Sequence, residues 1–368
     1  MSIYDQLNVK TLINAADSYT IIGGSRMPAE VMAAMSEAGK FFVGIEELHD
    51  RVGERIALLT RNEAAMVTNG AAAGLAITAA ACLAGINAEQ AQSLPIVGHK
   101  RREIIIHKSQ RNGFENAIVQ AGAELIEIGQ ANGTSEADLE NAISERTAAI
   151  VYFAGIRYEK GAVPLDRVIA IADKHRVPVI VDAAAQLPPI DNLWAYTQAG
   201  AAMVIFSGGK TLRGPQSSGF IVGQKAWIAA CRMNGSPHVS IGRPMKVGKE
   251  EMVGLLAAVE RYAGLDHEAE KERNEMAVAT ICQRLNSLGY AAAREYPGPT
   301  GQDYAIVKVA MGTTGKQAED VQAWLKSADP AIWVGISEDG ASLLVNPLHL
   351  QEDEIEMVLA QFEALTKR

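Results

Sequence analysis

The chain has only three cysteines in 368 residues, Cys82, Cys231 and Cys282, which are odd in number, far apart and without metal-ligand spacing. A disulfide framework and a cysteine-held metal are excluded, and the thiols read as reduced core residues. No dense block of lysine and arginine accompanies the net charge of −9, so the electrostatic footprint of a nucleic-acid binder is missing. No stretch approaches the roughly 20 apolar residues of a membrane span. The start, MSIYDQLNVKTLINAA, lacks the basic-then-apolar order of a secretion signal, and a cytoplasmic location is the expectation. Neither an internal repeat nor a low-complexity tract interrupts the chain. What remains is 48% hydrophobic and 21% charged, ordinary globular usage. Its length suits one large domain beside a smaller one.

Residues 1–45 are loop-rich, carry the turn IIGGSRMP at 21–28 and a short helix from about Pro28, and read as an arm that packs on something else. EELHDRVGERIALLT at 46–60 sets Leu48, Val52, Ile56 and Leu59 on one face of an amphipathic helix. AAMVTNGAAAGLAITAAACLAG at 64–85 reads as a short strand, a Thr-Asn-Gly turn and a helix apolar on all sides, which belongs in the middle of a domain. REIIIH at 102–107, AELIEIG at 123–129, TAAIVYFA at 147–154, VPVIVD at 177–182 and AAMVIFSG at 201–208 then alternate with helical stretches. That alternation predicts an α/β fold with a mostly parallel, doubly wound sheet, to which FIVG at 220–223 adds one strand. From Lys249 to about Leu288 the chain is helical and charged, and strands at 304–312, 332–337 and 342–347 follow with a final helix. These predict a large domain over 46–250, then bridging helices and a small C-terminal α+β domain over 251–368.

Two of the apolar runs end in chemistry. VPVIVDAAAQ carries Asp182 and VIFSGGK closes on Lys210. Parallel strands deliver both groups to one rim of a sheet, beyond whose carboxyl ends ligands bind in open α/β folds. Pyridoxal phosphate needs this pair: an amine for a Schiff base, and an acid beside the pyridine nitrogen. A lysine closing an apolar strand is costly unless engaged. Asp182 also suits capping a helical turn in the following AAAQ. Ser207 either donates to the cofactor phosphate or merely ends its strand. Thr68, Asn69, Gly70, Ala71 and Ala72 lead into the apolar helix, where backbone N–H groups and the helix dipole would face an anion. The same small residues also allow close helix packing. Gln110, in HKSQRNG, either covers one face of the cofactor ring or is an ordinary loop amide. Arg26, Arg213, Arg243 and Lys246 sit in turns with glycine or proline, as surface residues or as the cations that an anionic substrate requires. His49, His107 and His349 read as structural.

These motifs together resemble the selenocysteine synthase-like (SelA-like) branch of the fold-type I pyridoxal phosphate enzymes, and within it enzymes of the D-glucosaminate-6-phosphate ammonia-lyase kind. The resemblance runs from LINAADSYTIIGGSRMP through VTNGAAAGLA, VIVDAAAQLPP and FSGGKTLRGPQSSGFIVG to GRPMKVGKEEMVGLLAA. It implies Lys210 as the Schiff-base lysine and acid/base, Asp182 as the pyridinium partner, and Ser207 with the loop from Asn69 to Ala72 as the phosphate site. Two departures stand out: Gln110 where the family commonly reads histidine in the ring-stacking loop, and Asn14-Ala15-Ala16-Asp17 where it commonly reads Asn-Ala-Ser/Thr-Gly. True selenocysteine synthases carry an additional N-terminal segment that grips tRNA, whereas this chain starts almost at the core motif. Together with the acidic charge this argues against a tRNA substrate.

The expectation is a pyridoxal 5'-phosphate lyase catalysing α,β-elimination on an amino acid or amino-sugar acid, phosphorylated or not, to give a 2-oxo acid and ammonia. Racemisation and β-replacement use the same residues and stay open. So does a catalytically silent cofactor-binding regulator, kept because of Gln110. Fold-type I enzymes generally complete each site with a neighbouring subunit, so a homodimer or higher homo-oligomer is expected.

Overall fold

The computed structural model describes residues 2–367 other than 97, 99, 131, 313 and 314. Its strands, in chain order, are β1 (Leu12–Ala15), β2 (Ala64–Thr68), β3 (Glu103–His107), β4 (Glu124–Ile128), β5 (Thr147–Phe153), β6 (Val179–Asp182), β7 (Met203–Ser207), β8 (Gly219–Gly223), β9 (Ala291–Glu295), β10 (Ile306–Ala310), β11 (Ala331–Ile336) and β12 (Ser342–Val345). The chain divides into two compact units. One spans Met27–Gly264, and the other joins Met1–Arg26 to Leu265–Arg368.

The larger unit holds a seven-stranded sheet in the order β2-β8-β7-β6-β5-β3-β4. β7, β6, β5, β3 and β4 run parallel, while β8 is antiparallel to both β2 and β7. Every residue of β5, β6 and β8 is buried, as expected of strands covered on both faces, which is why they read as unbroken apolar runs. The helix Gly70–Ala84 lies directly on this sheet. A Cβ at Gly74 would fall 2.8 Å from Ile205 Cγ2, so the small residues of this helix are what allow the approach. From β3 the chain moves outward to β4, and from β5 it moves the opposite way through β6 and β7. The order therefore reverses between β3 and β5, the switch point at which such sheets open a crevice.

The smaller unit is a sheet in the order β1-β11-β12-β10-β9, antiparallel except where β1 pairs with β11 from Leu12↔Ala331 to Ala15↔Val334. Ile13, Val307, Leu325, Ile332 and Phe362 share its core.

The unit boundaries fall at 26/27 and 264/265. Residues 12–15 are a strand of the smaller unit, whereas the helix Ala29–Ala38 packs on the helix Lys249–Ala263 of the larger. Gly254 explains that second contact, since a Cβ there would meet Met35 Cγ at 2.6 Å. Among the described residues no helix is long and apolar enough to cross a membrane.

Candidate functional site

Strand register brings the predicted groups to one edge. Phe153 of β5 pairs with Asp182 of β6, and Asp182 pairs with Ile205 of β7, two residues before Ser207. Ser207 pairs with Gly219 of β8, and Gly219 with Thr68 of β2. Thr68, Ser207, Asp182 and Phe153 thus end their strands side by side, and Lys210 follows three residues after Ser207.

Asp182 is buried, and its Oδ1 accepts a hydrogen bond from the Ala184 N–H at 2.9 Å. Residues 183–186 form no helix. The expected helical cap is instead an Asx-type turn, in which the carboxylate bonds the backbone two residues on. Burial pushes the Asp182 carboxyl above its usual range, and the Ala184 bond and the Lys210 charge pull it back only in part. A buried acid that accepts a backbone N–H and has a lysine beside it suits a cationic ring nitrogen.

Lys210 is half-buried at the head of a loop that folds back on itself. Gly208 N–H donates to Ser218 O at 2.8 Å, Gly214 N–H to Gly208 O at 2.8 Å, and Arg213 N–H to Lys210 O at 2.9 Å. The Thr211 hydroxyl donates to Leu187 O at 2.8 Å. A Cβ at Gly209 would sit 2.6 Å from Gln216 Cα, so the glycines before the lysine let the two arms of the loop touch and fix its backbone.

At the other side of β8, Thr68 is buried and its hydroxyl donates to Gly70 O at 2.9 Å. Gly70 takes φ +81°, and no side chain caps the helix it opens. Ala71 is half-buried, while Asn69 and Ala72 are exposed. The Gly70–Ala71 peptide rests on Gly219, where a Cβ would lie 2.7 Å from Gly70 C and 2.9 Å from Ala71 N. Sequence reading missed Gly219; its signal was a glycine opening an apolar strand, which marks a close backbone approach. Gly219→Ala is expected to displace the start of the helix, destabilising the protein by about 1–3 kcal/mol and weakening phosphate-dependent cofactor uptake. Comparing pyridoxal with pyridoxal phosphate binding by wild type and variant checks this.

Gln110 is fully buried. Its amide meets the main chain of Phe153, with Nε2 donating to Phe153 O at 3.3 Å and Oε1 accepting from Phe153 N–H at 3.2 Å. Burial pushes His107, at the end of β3, down to about 4, so that its imidazole is neutral at ordinary pH. Of the four cations, Arg213, Arg243 and Lys246 lie in the larger unit and Arg26 in the smaller, where Arg26 pairs with Glu354. Arg243 and Lys246 are exposed, and Arg213 is half-buried with a left-handed φ of 58°. Among the described residues no group of three or more His, Cys, Asp or Glu could hold a metal ion.

The family model described as SelA, L-seryl-tRNA selenium transferase, matches residues 18–296. The chain belongs to the SelA family. Relatives of the chain include a D-glucosaminate-6-phosphate ammonia lyase from Salmonella typhimurium (strain 14028s / SGSC 2262), 30% identical over 374 residues that cover 100% of this chain and 98% of the relative. A 5'-C-glycyluridine monooxygenase-decarboxylase from Streptomyces sp is 33% identical over 372 residues, covering 98% and 91%. A solved structure of D-glucosaminate-6-phosphate ammonia-lyase superposes with a TM-score of 0.87 at 30% identity, covering 100% of this chain and 98% of that one. At the level of fold alone, an SPT structure with a PLP internal aldimine matches with a TM-score of 0.63 at 18% identity, covering 97% and 87%. The fold is that of the fold-type I enzymes, and pyridoxal 5'-phosphate is the cofactor. This chain's residues fit it: an amine at Lys210, a buried acid at Asp182, and a main-chain cradle at Gly70 and Ala71 that a Cβ at Gly219 would fill.

Proposed function

We propose that this SelA-family chain is a lyase that removes a β-leaving group and the amino group from an amino acid or amino-sugar acid, releasing a 2-oxo acid and ammonia. The observation that carries this is the Lys210 and Asp182 pair on adjacent strand ends, in a chain aligned over its whole length with an ammonia lyase. Lys210 would hold the aldehyde carbon of the cofactor, Asp182 its ring nitrogen, and Ser207 with the backbone of 69–72 its phosphate. When bound, the cofactor supplies an electron sink for the bond electrons released at the substrate Cα.

The chain's own residues supply the rest. The Lys210 amine, carried on a main chain that the folded-back loop fixes, takes the Cα proton and returns one to the departing β-oxygen, so one C–H and one C–O bond break. Asp182 keeps its charge toward the ring nitrogen and holds the proton there. Water then exchanges for ammonia at Cα. Arg213, Arg243 and Lys246 are the cations of this unit offered to a substrate carboxylate or phosphate.

The Streptomyces relative favours a second reading, in which dioxygen is taken up and carbon dioxide lost. One experiment separates the two. D- and L-amino acids, with and without a distal phosphate, are incubated with cofactor-loaded protein in air and under anaerobic conditions. Elimination gives ammonia and 2-oxo acid in equal amounts in both. Turnover that stops without oxygen and releases carbon dioxide overturns it.

A further inference from the structure

The ladder between β3 and β5 runs through Glu103↔Thr147, Ile104↔Ala149 and Ile105↔Ile150 and goes no further, whereas β5 stays registered with β6 as far as Phe153↔Asp182. The last residues of β5 are therefore held by a strand on one side only. This is the switch point, where the loops after β3 and β5 must part to open a crevice. Main-chain N–H and C=O groups left there, buried and unpaired, would be costly. In the gap lies the fully buried Gln110 side chain, whose amide takes the Phe153 N–H at 3.2 Å and gives an N–H to Phe153 O at 3.3 Å. A carboxamide offers one acceptor and donors on one plane, as a peptide does, so it can replace a strand residue. On the opposite edge the next peptide completes the connection, since Ala154 N–H donates to Asp182 O at 2.9 Å.

We infer that Gln110 is a positioning residue that completes the ladder where β3 leaves it, fixing the end of β5 against which Asp182 is registered. This rests on the proposed reading of Asp182 as the partner of the cofactor ring. It assigns the residue a task different from ring cover, the role that the resemblance attaches to histidine at this place. An imidazole has no donor and acceptor on neighbouring atoms of one edge, so it cannot make both bonds to a single residue.

The full-length protein with Gln110→Met, Gln110→Glu or Gln110→His tests this, read by thermal melting without cofactor, by pyridoxal phosphate titration, and by the pH at which the visible band converts. Methionine keeps the volume and loses both bonds. Its Tm should fall by about 2–6 °C, its cofactor dissociation constant should rise about tenfold, and the band's transition should shift. Glutamate keeps the acceptor for Phe153 N–H and should lie between methionine and wild type. Gln110→Met with unchanged melting, affinity and band transition overturns the inference. So does Gln110→His that binds the cofactor at least as tightly as wild type without loss of Tm, because that result restores ring cover. A wild-type chain that shows no visible band on titration instead overturns the reading of the site itself.

Discussion

Lys210→Ala is expected to take up pyridoxal phosphate without the visible absorbance that borohydride bleaches in the wild type, and to turn over substrate at least about 10⁴-fold more slowly. Two losses combine in one side chain. The amine is both the attachment point and the group that moves the Cα proton, and its loop is closed on itself by the bonds of Gly208, Gly214 and Arg213. Small amines added to the variant should restore part of the rate, because they replace the base without the tether. Circular dichroism should be unchanged, since the loop bonds use the main chain of residue 210 and leave its side chain aside. A variant that keeps both the bleachable band and the rate would remove Lys210 from the chemistry.

Asp182→Asn should move activity and stability in opposite directions. Turnover falls by about 10²–10³-fold, the size of losing one preorganised electrostatic contact in a dry site. The cofactor-free protein, in contrast, should melt higher at pH 7. Burial raises the carboxyl of Asp182 above its unfolded value despite the Ala184 bond and the Lys210 charge, so the folded state binds a proton more tightly than the unfolded one. Its stabilising contribution is then fully present below the ordinary aspartate value of about 4 and is lost as pH rises through the raised folded value. Asparagine keeps an acceptor for Ala184 and never ionises. The Tm gain, about 2–4 °C per kcal/mol recovered, should vanish on acidification. Melting both proteins without cofactor between pH 4 and pH 8 checks it, and a variant that melts lower throughout would mean that the charged carboxylate holds the fold together.

Much of the candidate site was legible because charge at the end of an apolar run is rare and local. Asp182 and Lys210 stand out in that way, and the helix after Asn69 shows itself by its small residues. The strands β3 to β8 were equally plain, being apolar and bounded by turns. β9, AAARE, was not, because alanine and charge carry no β preference. The task of Gln110 depends on where β3 parts from β5, a property of the assembled sheet that no window of sequence contains. Arg26 was grouped with the site cations since its turn looks like theirs, and its ion pair with Glu354, 328 residues away, is a contact no local window shows. Gly219 was visible as a glycine, but its reason is the Gly70–Ala71 peptide, which only the pairing of β2 with β8 brings there.

The placement of β1 bears on how the chain is made. Leu12–Ala15 leaves the ribosome before the larger unit, yet its strand partner, β11, begins at Ala331. At about 5–20 residues per second, the first strand waits on the order of 15–60 s with its edge groups unmatched while the whole larger unit is synthesised and can fold. The smaller sheet therefore closes after the larger unit is made, from segments on either side of it, and a nascent chain stopped before residue 331 should expose residues 12–15 to proteases and chaperones.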